Sequence, residues 1–438
     1  MARRKLIVRR ALAIAALLAG LVGCARASSE KTVVRFWGLG REGEVVGTLI
    51  AAFERENPDI HVELQQLPFL SAHEKLLTAY VGDSTPDVSQ VGNTWVPELA
   101  ALGALAALGP RVAASTGIQQ ADYFDGIWAT NVVEGELYGI PWYVDTRLLF
   151  YRRDILADAG FTAPPQSWDE WRRAMVAVKA KVGPDRYAAL LPLNEYDQLL
   201  ALALQQDEPV LRDHDTYGNF RSAGFRSALS FYIEIFRAGL APVVTHTQVA
   251  NPWNELGRGY VSFMVSGPWS IGELKRRLPK EQQPGWMTMA MPGPKGPGAS
   301  TAGGSSLVIF AAARHKDAAW KLIEFLSRPA SQREFYGLSG NLPSRRTSWE
   351  DPRFANDEYV LAFRDQLERA RQQPPVPEWE RIMTEMRIVS ERAVHDAIGR
   401  PAEAVPAIVD AAVTELDARV DRLLKKRRWI LAQKGGSR

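Results

Sequence analysis

The chain has almost no cysteine: Cys24 is the only one among its 438 residues. A single thiol excludes an intrachain disulfide bond. Histidine is scarce too, with six scattered residues, and the sequence contains neither an H-E-x-x-H motif nor a G-x-S-x-G nucleophile elbow. These absences exclude the commonest sequence signatures of metalloproteases and serine hydrolases. We expect no catalytic residues, no metal and no cofactor.

Long apolar runs are also rare, and the most apolar one lies at the start, from Ala11 to Val22. It follows five basic residues, Arg3, Arg4, Lys5, Arg9 and Arg10, and is about half as long as the ~20 residues of a membrane-spanning helix. That pattern is typical of an export signal. Leu21 to Cys24 resembles a lipobox, so we expect residues 1–23 to be a lipoprotein signal peptide. Cys24 would then carry lipid on the outer side of the cell membrane, the alternative being a lone buried cysteine.

Basic charge is in excess only because of this first segment. Removing residues 1–23 takes away five of the 53 basic residues and none of the 50 acidic ones, which leaves 48 against 50 and a net charge of −2. Binding to nucleic acid needs a clustered positive surface, so no nucleic-acid partner is expected. The remaining basic cluster, Lys425 to Arg428, is interpreted as a solvated helix end.

Short β-type runs alternate with helical segments along the first three quarters of the chain. Strands are predicted at Val33–Trp37, Ile60–Leu64 and Asp87–Val91, with helices between them, and this alternation indicates βαβ units around a parallel sheet. The glycine- and proline-rich stretch Pro292–Ser305 is predicted to be a loop. The 415 residues after the signal exceed what one hydrophobic core usually organises, so an α/β fold with at least two lobes is expected.

Several segments, taken together and in order, resemble the extracellular solute-binding proteins of carbohydrate ABC importers, the group that includes maltose-binding protein. They are Phe53–Val62, Thr85–Val88, Gly139–Trp142, Leu149–Asp154, Pro165–Trp171, Val265–Trp269, Gly303–Gly304 and Asn341–Ser344.

This resemblance implies a two-lobe periplasmic-binding-protein type II fold with a ligand cleft between the lobes. The first lobe would hold residues 24–142 and 303–343, and the second residues 143–302 and 344–438. The loop before Gly303 would then be a hinge crossing. The implied function is capture of a sugar or sugar derivative by a monomeric receptor that delivers it to the membrane permease subunits of an ABC importer.

A sugar site needs aromatic platforms beside carboxylates and amides, because a sugar ring has apolar faces and a belt of hydroxyl groups. Trp269 follows a predicted strand, at the strand end where α/β sheets bind ligands, and the matching tryptophan of the resembled family stacks on sugar. Trp142 and Asp145 come after the Gly139–Pro141 segment, and Asp145 could accept two hydroxyl hydrogen bonds. Packing in the core is the alternative for each tryptophan, and a solvated loop for Asp145.

Further candidates follow from the same strand-end reasoning or from the resemblance. They are Glu42, Asp87, Asn93, Trp95, Asn194, Tyr196, Trp286, Gly303, Gly304, Asn341 and Arg345. Asp87 could equally brace the turn after Pro86.

Two other functions stay open at this point. Gly38, Gly40 and Gly43 fit the G-x-G-x-x-G motif of dinucleotide-dependent oxidoreductases, and Glu63 follows at a suitable distance. Export argues against this function, because nicotinamide cofactors are cytoplasmic, and a glycine-rich first turn of the cleft is the structural interpretation. A secreted glycosidase is the other alternative, since its two carboxylates come from distant positions.

Overall fold

The computed structural model describes residues 31–249 and 251–435. The predicted signal peptide and Cys24 lie outside the described residues. Within them, no helix combines the length and the apolar composition that crossing a bilayer requires.

The strands are β1 (Thr32–Leu39), β2 (Ile60–Leu67), β3 (Val88–Gly92), β4 (Val132–Val133), β5 (Glu136–Leu137), β6 (Gly139–Asp145), β7 (Leu148–Arg152), β8 (Tyr187–Leu190), β9 (Leu211–Arg212), β10 (Tyr217–Gly218), β11 (Val261–Ser266), β12 (Trp286–Met289), β13 (Ser300–Thr301), β14 (Gly303–Ile309), β15 (Leu342–Pro343) and β16 (Ala370–Arg371).

The α-helices span Gly40–Val45, Gly47–Glu56, Phe69–Val81, Val96–Ala101, Gly109–Ala114, Asp125–Ala129, Arg153–Asp158, Trp168–Val182, Asp197–Leu204, Ala223–Arg237, Pro252–Gly257, Trp269–Arg277, Lys316–Leu326, Pro329–Ser339, Pro352–Ala355, Glu358–Glu368, Trp379–Ala397, Val405–Leu423 and Lys425–Gly435.

The larger sheet has six strands in the order β15-β6-β14-β3-β1-β2. Strands β1, β2 and β3 are parallel, whereas β14 is antiparallel to both of its neighbours, β3 and β6. Strand β6 therefore runs in the same direction as β1, β2 and β3. The carboxyl ends of these four strands lie at one edge of the sheet.

A second sheet has four strands in the order β12-β7-β11-β8. Strand β8 is parallel to β11, and β7 is antiparallel to both β11 and β12. The carboxyl ends of β8, β11 and β12 consequently share an edge with the amino end of β7. This edge is the counterpart of the carboxyl edge of the larger sheet.

Helices cover both faces of each sheet, and the helix Trp168–Val182 shows why. Its side chains Trp168, Trp171, Met175 and Val178 recur at helical spacing and are buried, which forms an apolar stripe against the second sheet. Ser167 starts the helix with a reciprocal capping box: its hydroxyl accepts from the Glu170 amide, and the Glu170 carboxylate accepts from the Ser167 amide. Local sequence therefore defines where this helix begins and which face it buries.

The chain passes between the sheets at three places: after β6, between β12 and β14, and after β15. Strand β6 continues to Asp145, so it extends beyond the Gly139–Pro141 segment that was expected to end it. The strand also ends three residues after residue 142, the predicted end of the first lobe. Pro141 fits inside it because the pairing with β14 shifts register between Ser305 and Ser306, opposite the proline. The predicted loop at 292–305 was also too long, since β13 and the start of β14 lie within it.

Candidate functional site

The two sheet edges meet at the first crossing, because β6 ends at Asp145 and β7 begins at Leu148. Side chains that follow the carboxyl ends of β1, β2, β3 and β6 therefore lie on one wall of a shared cleft. Side chains next to β7, β8 and β11 lie on the other. Ligands of α/β proteins bind at such carboxyl edges, so this cleft is the candidate site.

An ion-pair chain joins the two walls. Arg147 contacts Asp145 at 3.4 Å. It also contacts Asp197, the first residue of the helix Asp197–Leu204 in the second lobe, at 3.0 Å. The three side chains are 18–25% exposed. Because one guanidinium balances two carboxylates, the centre of the cleft retains negative charge.

The pKa values of these groups follow from burial and from their neighbours. Burial raises the pKa of Asp145 above its ordinary value of 3.8; the positive charge of Arg147 opposes this rise, and the negative charges of Asp197 and Glu42 add to it. Burial alone would lower the pKa of Arg147, but Asp197 and Asp145 bring it above its usual value. Arg147 therefore stays charged, whereas the pKa of Asp145 is above its ordinary value.

Trp269 stands on the second wall as the first residue of the helix Trp269–Arg277. Its side chain is 39% exposed, and the Arg147 guanidinium lies 4.8 Å from the ring centroid. Gly267 makes room for the ring, since a Cβ at that position would lie 2.1 Å from it. An exposed, positioned indole beside carboxylates is a platform for a ligand with both apolar and hydroxyl groups.

Glu42 and Asn341 belong to the first wall. The Asn341 Nδ2 donates to Glu42 Oε1 at 2.5 Å, which links the helix Gly40–Val45 to the start of β15. Gly303 and Gly304 pair with Asp145 and Val144. A Cβ on Gly303 would lie 2.2 Å from Asp145 Oδ1, and one on Gly304 would lie 2.3 Å from the Tyr143 carbonyl oxygen. The two glycines thus let β14 approach the Asp145 end of β6.

Asn194 and Tyr196 lie in the loop between β8 and the helix Asp197–Leu204, both partly buried. Asn194 Oδ1 accepts from the His246 amide at 2.6 Å, so this side chain holds two loops together. Burial raises the pKa of the Tyr196 phenol, and the negative charges of Asp197 and Glu380 add to the rise. Tyr196 is therefore a neutral hydroxyl at the second wall.

Residues 39–333 match the family model of the bacterial extracellular solute-binding proteins. The chain belongs to this family. A solved relative, the sugar-binding protein MalE from Xanthomonas citri, is 55% identical; the match covers 92% of this chain and 100% of that chain, with a TM-score of 0.87. A binding protein of Brucella abortus is 26% identical over 427 residues, 94% of this chain and 98% of its own length. A maltotriose-binding protein of Pyrococcus abyssi is 24% identical over 376 residues, 81% of this chain and 75% of its own length.

These matches confirm the resemblance seen in the sequence and the two-lobe α/β fold. They place the chain in a family of solute-binding proteins rather than among glycosidases or oxidoreductases. The glycines of the dinucleotide-like motif have a packing role instead: a Cβ on Gly43 would lie 2.7 Å from the Gly38 carbonyl carbon, so helix and strand touch there.

Two tryptophans predicted to bind the solute belong to the core. Trp142 is 1% exposed and stacks on Phe335 with ring centroids 4.3 Å apart. Trp286 is fully buried and stacks on Tyr359 at 4.0 Å. Trp142 lies inside β6, and Trp286 starts β12 at the edge opposite the cleft. The prediction was wrong for both, and the core-packing alternative is the right one.

Asp87 and Arg345 also lie away from the cleft. Asp87 precedes β3 at its amino end, where its carboxylate accepts from the Arg35 amide at 2.9 Å and the Arg314 amide at 3.2 Å. Arg345 donates to Asp122 Oδ2 at 2.6 Å and to the Gly117 carbonyl at 2.7 Å. Both side chains brace loops of the first lobe.

Asn93 and Trp95 follow β3 at the correct edge, but both are buried. Asn93 is 4% exposed and donates to Thr130 Oγ1 at 3.0 Å, in a small cavity shared with Trp379. Trp95 is 8% exposed and packs against Phe69 and His73. The rule that ligands bind beyond the carboxyl ends of strands identified the correct edge of the sheet. It did not predict which side chains at that edge are exposed.

Sequence reasoning missed two charged residues of the candidate site, Arg147 and Asp197. No local sequence signal indicated them, because their roles depend on a pairing between positions 50 residues apart.

A groove of about 720 Å³ lies elsewhere, between the helices Trp379–Ala397 and Val405–Leu423. Arg392, His395 and Glu415 are among its lining residues. It touches neither carboxyl edge, so its size does not make it the solute site of a protein of this family.

Proposed function

We propose that the chain is the lipid-anchored extracytoplasmic receptor of a sugar ABC importer, and that it binds its sugar against the exposed part of the Trp269 ring, beside the Asp145–Arg147–Asp197 chain. The observation that carries the proposal is the exposed indole beside two partly buried carboxylates. Pyranose rings present apolar C–H faces to aromatic rings, and their hydroxyl groups donate to carboxylates. The Xanthomonas relative is a sugar-binding protein and the Pyrococcus relative is a maltotriose-binding protein, which supports a sugar ligand for this chain.

Arg147 would orient both parts of this site. Its guanidinium contacts both carboxylates and lies over the Trp269 ring. A carboxylate has more acceptor sites than the arginine uses, so Asp145 and Asp197 can still accept from sugar hydroxyl groups. The platform and the acceptors are thus positioned before the ligand arrives, which reduces the entropy that binding must overcome.

The proposal is tested by calorimetry with neutral di- and trisaccharides, amino sugars and glycerol phosphates. We expect one neutral sugar to bind without turnover. Trp269→Ala should weaken that binding about two- to thirteenfold, the range for a lost aromatic contact of ~0.5–1.5 kcal/mol. The melting temperature of the empty protein should hardly change, because the side chain is already exposed.

Trp429→Ala is the matched control, since Trp429 is 64% exposed on the helix Lys425–Gly435 and outside the cleft. Its sugar affinity should equal that of the unmodified protein. A large loss of stability in Trp269→Ala, comparable to the ~3–5 kcal/mol for a core tryptophan, would assign Trp269 to the core and contradict the proposal.

The lipid anchor rests on the sequence around Cys24. A relative from Streptomyces antibioticus, 27% identical over 368 residues, is named as a lipoprotein. Two or more acyl chains would hold the receptor at the membrane beside its permease, where a single chain binds weakly. Cys24→Ser should release a soluble protein with unchanged sugar affinity once the signal peptide is removed, and retention of that variant in the membrane fraction after signal removal would disprove the anchor.

A further inference from the structure

Exposed aromatic rings are few in the described part of the chain. Three are more than one third exposed: Phe69 at 44%, Trp269 at 39% and Trp429 at 64%. Trp429 is on the last helix, outside the cleft. The other two lie at the two sheet edges that form the cleft, one in each lobe. Water contact of a large ring is unfavourable, so this placement calls for a functional explanation.

Phe69 belongs to the same wall as Glu42. It begins the helix that follows β2, and its Cβ lies 3.6 Å from where a Cβ of Gly40 would be. Gly40 starts the helix that carries Glu42, and Gln66 at the end of β2 donates to the Gly40 carbonyl at 2.9 Å. The charge of Glu42 acts in turn on Asp145. Phe69 is therefore connected to the ion-pair chain through the first wall.

Two packed, mutually tilted rings support the Phe69 ring from behind. Its centroid lies 5.5 Å from that of Trp95, and Trp95 lies 5.0 Å from the ring of His73. His73 Nε2 is 2.7 Å from Glu98 Oε2, which fixes the imidazole. Trp95 is almost fully buried in this packing, whereas Phe69 is 44% exposed. The ring is thus held in place and still accessible.

We propose that Phe69 is the aromatic platform of the first lobe and that it contacts a sugar ring face when the cleft closes. Together with Trp269 it gives the site one aromatic surface per lobe. The ligand class is then a sugar with at least two apolar ring faces available. This inference rests on the proposed function of the chain as a sugar receptor.

The test measures affinity for one sugar that the unmodified protein binds. Phe69→Ala should weaken binding about tenfold, near the upper end of an aromatic contact. Phe69→Trp should restore affinity to within about threefold, because an indole also offers a flat apolar face. Trp429→Ala should change nothing. The melting temperature of each empty protein shows whether the fold is intact.

Two results would overturn the inference. One is an affinity of Phe69→Ala within twofold of the unmodified protein, while Trp269→Ala binds weakly. The other is a loss of affinity that Phe69→Trp does not restore and that is matched by a lower melting temperature, which would make Phe69 a structural residue. Absence of sugar binding by the unmodified protein is a different outcome, because it contradicts the proposed function itself.

Discussion

Asp145 combines two properties that a structural carboxylate rarely has together. It is three quarters buried, and it still has an acceptor oxygen that Arg147 does not contact. Burial disfavours its ionised form, so the pKa lies above 3.8. Between pH 3.8 and that raised pKa, the folded protein holds a proton that the unfolded chain has released. From this group alone, the free energy of unfolding therefore falls as pH rises through that range.

Sugar binding should depend on pH in the opposite direction. Affinity should decrease as pH falls from 7 toward 4, beginning above 3.8, because a protonated carboxyl accepts fewer hydrogen bonds. Asp145→Asn should bind about tenfold or more weakly, since hydrogen bonds to charged groups contribute ~1.5–3 kcal/mol. It should also lose the part of the pH dependence that Asp145 causes. Calorimetry at pH 7, 5.5 and 4.5 measures both effects.

Asp213→Asn is the control for this experiment. Asp213 is 59% exposed at its side chain, pairs with Arg212, and lies in the turn between β9 and β10. Its positive φ of 54° is tolerated by asparagine. Identical pH profiles for the two variants would show that Asp145 does not bind the sugar.

At the scale of elements, the cleft depends on how closely β14 and β6 approach. Gly304 has a φ of 118°, which other residues rarely adopt, and the Tyr143 carbonyl oxygen occupies the space of a side chain. Strand β6 carries Asp145 at its end, so the pairing places the carboxylate next to the crossing. A change in the pairing of β14 with β6 would therefore displace the Asp145 carboxylate from the cleft.

Gly304→Ala should lower the free energy of unfolding by about 1–3 kcal/mol, because it adds backbone strain and a steric clash. Gly337→Ala is the matched substitution, in the exposed part of the helix Pro329–Ser339, where a Cβ meets no atom within 4 Å. That change should raise the free energy of unfolding by up to ~1 kcal/mol. Thermal melts of the empty proteins compare the two, and equal melting temperatures would refute the packing role of Gly304.

At the scale of the whole molecule, we expect the two lobes to move relative to each other, because in the described part of the chain three crossings are the covalent connections between the two large sheets. Ligand can stabilise a closed form only if it binds that form more tightly than the open one. Contacts from Phe69 on one lobe and Trp269 on the other would provide this difference. A permease could then distinguish loaded from empty receptor by the distance between the lobes.

Small-angle scattering tests this mechanism. The radius of gyration should decrease when the cognate sugar saturates the protein, and it should stay constant with a sugar that does not bind. The Cys24→Ser protein is suited to the measurement because it lacks the lipid attachment site. An unchanged radius at saturation would rule out lobe closure.

Much of the architecture could be predicted from the chain, because strands and helices depend on local patterns. The predicted strands at Val33–Trp37, Ile60–Leu64 and Asp87–Val91 correspond to β1, β2 and β3 within a few residues. The carboxyl edge was also identified, since strand direction follows from the βαβ order. Site membership was less predictable: Trp269 is exposed at the edge, whereas Trp142 and Trp286, chosen by similar reasoning, are in the core.

The sequence by itself determined the elements, their alternation and the family, because these depend on patterns within short segments. Only the tertiary structure decided which side chains meet in the cleft. Arg147 pairs with Asp197, 50 residues away, and Gly303 pairs with Asp145 across more than 150 residues. Such contacts depend on the register and packing of distant strands, and local periodicity carries no information about either.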